Sequence, residues 1–294
     1  MDFLKGNIRS LYFKYLAAAF GSALITSVYS IVDMAMVGQY QGPEGTAALA
    51  VVAPIWNIIY SLGLLMGIGG SVIYSLIKGQ AESSGQREYQ YFSTAVIGSF
   101  ILAAVSWAVI VFFDSELLTF FGAEGNLLPL AKAYMIPIKF VLPCFLFTQM
   151  LAAFLRNDNN PTLATLGTLS GGVFNIFGDY IFVFVFDMGI FGAGLATAIG
   201  AVISLVVMLA HFFSKKNSLV FVRPENFFSK FGRITVTGFS TFFIDIAMGI
   251  LTILFNRQIM KYLGTNALSV YGIIVNISTF VQCCAYSVGQ AAQP

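Results

Sequence analysis

Residues 15–33 read YLAAAFGSALITSVYSIVD, eighteen uncharged positions that end on one carboxylate, Asp33. An α-helix needs about 20 apolar residues to cross the hydrocarbon core of a bilayer. The stretch therefore predicts a membrane-spanning helix with an acid near its far end. Charge at such a depth is costly and marks a functional site by default. Asp179 and Asp245 sit in equally apolar surroundings.

The composition agrees with this reading over the whole chain. Of 294 residues, 58% are hydrophobic, 10% are charged and 30 are Phe, whereas a water-soluble domain carries roughly 25% charged residues. The net charge of +2 gives no reason to expect a nucleic-acid partner. Cys144, Cys283 and Cys284 are odd in number and two are adjacent, so they read as small apolar packing residues and not as a disulfide framework.

Charge-free runs predict eight helices, over 12–39, 45–78, 90–113, 130–155, 162–186, 190–213, 231–262 and 266–294. Lys5, Arg9 and Lys14 ahead of the first run imitate a signal peptide. The run has no small-residue cleavage site and continues through Asp33 to Gly38, so it is kept as a mature helix. With the N-terminus in the cytoplasm, the inner segments hold Lys5, Arg9, Lys14, Lys78, Arg87, Arg156 and the five basic residues from Lys215 to Arg233. That leaves Lys132, Lys139, Arg257 and Lys261 on or toward the other side, a bias in the sense of the positive-inside rule.

An internal repeat divides the chain. At an offset of 219 positions, Gly45-Thr46 falls on Gly264-Thr265, Ala48-Leu49 on Ala267-Leu268, Asn57-Ile58 on Asn276-Ile277 and Gly70 on Gly289, with nine of 26 positions identical. Two apolar helices match at a few positions by composition alone, so the shared Asn57 and Asn276 weigh most. The second predicted helix thus maps on the eighth and the first on the seventh. Six helices per copy relate the copies by an axis along the membrane normal, a transporter architecture. The expected organisation is an all-α membrane protein with a six-helix lobe over 1–214, a cytoplasmic linker over 215–230, and the first two helices of a repeated second lobe over 231–294. The sequence is expected to be a fragment that stops inside that second lobe.

Four polar residues inside these helices stand out. Asn175 and Asp179, four apart, share one helix face. Thr197 follows Gly192-Ala193-Gly194-Leu195-Ala196, small residues that let helices approach closely. Gln149 lies two turns before Arg156. With Asp33 these side chains offer the oxygen ligands that a hard cation takes, by analogy with calcium and magnesium. A structural reading stands beside this one, in which the amide and hydroxyl only join helices and the acids pair with a base such as Lys139. Arg257 is expected to snorkel or pair, and His211 to lie at the membrane interface. Pro54, Pro137 and Pro143 are expected to kink their helices.

Ser30-Ile31-Val32-Asp33-Met34-Ala35-Met36-Val37-Gly38, Gly172-Val173-Phe174-Asn175-Ile176-Phe177-Gly178-Asp179-Tyr180, Gly189 to Thr197 and the terminal Gly289 to Pro294 together resemble the multidrug and toxic compound extrusion (MATE) transporters over the whole chain. The resemblance implies two six-helix bundles and alternating access, with export of amphipathic, often cationic compounds in exchange for sodium or protons. It implies no enzymatic activity and no cofactor beyond the coupling ion. It also implies a drug-like small-molecule substrate, the plasma membrane of a prokaryote and a monomer. It carries a cation-binding role onto Asp33, Asn175, Asp179 and Thr197, and a place in the substrate cavity onto Gln149 and Asp245. At Asp245 the family more often has Glu.

Other functions find less support. Exporters of lipid-linked sugars in the same superfamily need bases for a pyrophosphate, and Lys139 is the one interior candidate. Gly178-Asp179 resembles part of the Gly-x-Gly-Asp motif of intramembrane aspartyl proteases, but position 176 is Ile and no Tyr-Asp partner occurs on another helix. No His-Glu-x-x-His, Gly-x-Ser-x-Gly or filter-like loop occurs.

Overall fold

The computed structural model describes residues 8–80, 87–158 and 160–291. Over them the protein is built from helices α1 (8–41), α2 (43–79), α3 (Arg87–Phe112), α4 (Leu127–Asn157), α5 (Pro161–Asp179), α6 (Gly189–Leu209), α7 (227–263) and α8 (265–291). These are long and apolar enough to span a bilayer, and exposed Phe100, Phe140 and Val236 give the outer surface the apolar character that lipid requires. The chain is a multi-pass membrane protein. Helix limits depart from the sequence expectation by a few residues. An unexpected short helix, Asp114–Phe120, follows α3. The side chains of Cys283 and Cys284, Lys5, and residues 292–294 lie outside the described residues.

Two helix pairs reverse direction without a loop. The first does so at Gly42 (φ 66°, ψ −154°), the second at Gly264 (φ 79°, ψ −173°), backbone states open to glycine because it has no Cβ. Tyr29 and Tyr60 meet across the first hairpin with hydroxyl oxygens 3.1 Å apart, and Phe255 stacks on Tyr271 across the second. The 219 offset lays Gly45 on Gly264, yet the first turn sits three residues earlier, so Pro43 to Gly45 lengthen the start of α2.

Helix α7 runs along α2. Backbone meets backbone where Gly69 faces the Ile234 carbonyl and Gly238 faces that of Leu65, and the Asn256 amide donates to the Ala50 carbonyl at 2.9 Å. Within the first six helices, Gly171 of α5 lies against Gly200 and Ser204 of α6, while Gly194 of α6 lies against the Tyr134 carbonyl and Pro137 of α4. These contacts draw the polar faces of α4, α5 and α6 together. Helix α5 continues past Asp179 as a π-helical turn, Tyr180–Val185, a form frequent at functional sites.

At the end of the bundle that holds residues 214–226, Asp158 is the hub. It accepts from His211 at 2.8 Å, Lys78 at 3.2 Å, the Ser218 backbone amide at 2.9 Å and the Ser218 hydroxyl. His211 also meets Asn160 at 3.0 Å and is fully buried. His211 lies at the end of α6, where the turn Ala210–Phe213 folds its ring inward. Burial pushes the Asp158 carboxyl up, but its four donors outweigh burial and hold it below the usual carboxylate range.

Candidate cation site

Asp33, Asn175, Asp179 and Thr197 come together in the middle of the first six helices, all buried. A residue not singled out from the sequence joins them. Tyr134 of α4, itself buried, donates its hydroxyl to Asp33 Oδ2 at 3.0 Å, and its oxygen lies 3.5 Å from Thr197 Oγ1. Asn175 Nδ2 donates to Thr197 Oγ1 at 3.1 Å and to Asp179 Oδ1 at 3.5 Å.

A hydroxyl has one proton to give, and this fixes the direction of the chain. Tyr134 spends its proton on Asp33, so Thr197 donates to Tyr134 and accepts from Asn175. Every donor is then used, while Asp33 Oδ1, Asp179 Oδ2 and Asn175 Oδ1 remain buried without a partner. Buried polar atoms in native proteins are nearly always satisfied. Three orphan acceptors around two carboxylates call for positive charge, from a hard cation or from a proton. The oxygen-only donor set suits sodium.

A cavity of about 50 Å³ adjoins the network, reaching Gln149, Thr148, Thr168, Ser204 and the Tyr29–Tyr60 pair as well as Asn175 and Thr197. That volume holds about three or four waters. Gln149 thus lines the space next to the site. Asp245 does not join the four: it is half-buried on α7. Lys139 does not reach the acids either. It binds Asp114 at 2.6 Å, with Lys132 at 3.4 Å from the same carboxylate. Although partial burial raises the Asp114 carboxyl, the two lysines and Ser115 bring it below its ordinary value. Arg257 packs over the Phe120 ring, 5.5 Å from its centre.

The MatE family profile matches residues 18–181, over half of the chain, and takes in Asp33, Tyr134, Asn175 and Asp179. The chain belongs to the MatE family. It is 28% identical over 262 residues to the multidrug export protein MepA of Staphylococcus saprophyticus, covering 88% of this chain and 57% of the relative. MepA of Staphylococcus aureus strain MSSA476 is 24% identical, with 87% and 57% covered. Among solved structures, the MATE multidrug transporter DinF-BH in complex with R6G superposes with a TM-score of 0.89 at 24% identity, covering 97% of this chain and 64% of that one. This MatE chain spans under three fifths of the length of its MepA relatives.

Nothing in the sequence separates Tyr134 from the other twelve tyrosines. The signal that bears on it is indirect: Gly194, three residues before Thr197, leaves room for the backbone at Tyr134.

Proposed function

We propose that this MatE chain carries the ion-binding lobe of a secondary transporter that exports amphipathic, cationic small molecules in exchange for sodium ions or protons. The observation that carries the reading is the set of three buried, unpartnered acceptor oxygens on Asp33, Asn175 and Asp179, left over after every donor of the network is used on another atom. Two ionised carboxylates in one buried site repel each other and lose most of their hydration. A sodium ion or a proton relieves both costs, so the site favours the loaded state and drives a change of packing when it empties. The lysine and arginine distribution supports a cytoplasmic N-terminus, and the MepA relatives support a bacterial plasma membrane.

A cationic cargo is supported by acids facing the interior while Lys139, the base that a pyrophosphate-bearing lipid cargo would need, is held by Asp114. The test is uptake of a lipophilic cation into inside-out vesicles bearing the protein, with sodium and pH gradients imposed one at a time. Uptake driven by one gradient and abolished in Asp33→Asn is expected. Uptake indifferent to both gradients would defeat the proposal.

A further inference from the structure

An amide of the second lobe holds the helix that carries Asp33. Asn276 of α8 accepts a hydrogen bond from the Ser30 hydroxyl of α1 at 2.6 Å, and its Nδ2 lies 3.3 Å from the Met34 sulfur and 3.2 Å from the Gly272 carbonyl. Ser30 and Met34 are one helical turn apart and bracket Asp33, so α1 turns one face to α8 and the adjoining face to the cation site. Gly272, where a Cβ would lie 3.2 Å from the Met34 methyl, leaves the room for this approach.

The other asparagine of the repeat supplies a comparison. Asn57 of α2 faces Gly249 of α7, where a Cβ would lie 3.6 Å from that of Asn57. Gly249 has no hydroxyl, and among the described residues the Asn57 side chain has no hydrogen-bond partner. The amide bridge is made at Asn276, where the helix bearing the cation site crosses.

We propose that the Ser30–Asn276 bridge transmits the loading of the cation site to the second lobe, so that Asn276 is a coupling residue of the transporter. The proposal rests on the ion-site reading above. When Asp33 is neutralised and α1 repacks, Ser30 and Met34 move as part of the same turn, and α8 must follow or the bridge must break. Either result gives the ion a differential effect on the two arrangements of the lobes, which is what coupling requires.

The experiment uses the chain in lipid nanodiscs and follows binding of tetraphenylphosphonium with and without sodium, and at pH 5.5 and 8. The wild type is expected to change affinity by about fivefold or more between loaded and empty conditions, at the lower end of usual coupling strengths. Asn276→Ala and Ser30→Ala should keep the affinity of the empty condition but reduce the change to under about twofold, and the double variant should be no worse than either single one, because both remove the same bridge. Ser30→Thr, which keeps the hydroxyl, and Asn57→Ala should retain the full change. An Asn276→Ala protein with the wild-type change, or single effects that add, overturns the proposal. If Asp33→Asn abolishes the change and Asn276→Ala does not, the coupling inference fails and the ion site stands. If the wild type shows no ion dependence, both fall. Should Asn276→Ala fold poorly, the Ser30→Ala and Ser30→Thr pair decides alone.

Discussion

Tyr134 gives its single hydroxyl proton to Asp33 across 3.0 Å, joining α4 to α1, and the second oxygen of the same carboxylate is left buried without a partner. An ionised Asp33 is therefore half satisfied by protein donors, and on the proposed reading a cation satisfies the other half. Replacing it by Asn keeps the acceptor for Tyr134 and makes the neutral form permanent. Asp33→Asn is expected to bind tetraphenylphosphonium, more weakly than wild type, while losing the dependence of binding on sodium or pH. Equilibrium binding across both ions checks this, and an unchanged dependence would shift the weight to Asp245.

The site depends on how closely α6 approaches α4. A Cβ at Gly194 would run into the Tyr134 carbonyl and lie 3.1 Å from the Pro137 ring. Gly194→Ala should cost about 1 to 3 kcal/mol, the usual range for forced overpacking, and should also weaken ion binding by parting Tyr134 from Thr197. Gly232→Ala in α7, where nothing lies within 4 Å, should leave both unchanged or slightly raise stability. Thermal unfolding in detergent together with an ion titration separates the two variants.

Asp158 and Asp114 set an acid limit to stability. Both carboxyls lie below their ordinary value in the folded protein, so each contributes stability above the unfolded pKa of about 4, which is lost as pH falls through the folded one. Unfolding temperature is expected to hold from neutral pH down to about 5 and then to drop. Asp158→Asn should lower the plateau by about 3 kcal/mol, the scale for breaking a buried pair, and flatten the drop. An acid limb as steep as that of the wild type would assign the loss to other groups.

Lys139 is committed to Asp114 and stands apart from the cation site. Lys139→Gln should therefore leave efflux of a lipophilic cation within about twofold of wild type and reduce stability by at most about 1 kcal/mol, as for a partly exposed ion pair. Vesicle uptake compared with thermal unfolding checks this. A specific loss of transport would return Lys139 to the interior and reopen a phosphate-bearing cargo.

Much was legible in the sequence because its causes are local. Span length, the rarity of charge and the four-residue spacing of Asn175 and Asp179 are each read along one helix, and bilayer thickness and helical geometry leave few alternatives. The 219 offset was legible too, since Asn57 and Asn276 stand out against apolar neighbours. The sequence alone thus determined a multi-pass helical chain with a repeat and buried acids, and its motifs placed Asp33, Asn175, Asp179 and Thr197 as one candidate group. Tertiary structure decided what an apolar pattern leaves open. In a membrane helix nearly every face is hydrophobic, so periodicity does not tell which polar tip meets which: that Tyr134 completes the site, that His211 turns inward to Asp158, that Lys139 goes to Asp114, and that Asn276 reaches Ser30 while Asn57 faces Gly249. Hydrogen bonds act over about 3 Å, and only the packing of separate helices brings residues 101, 53, 25 or 246 positions apart within that distance.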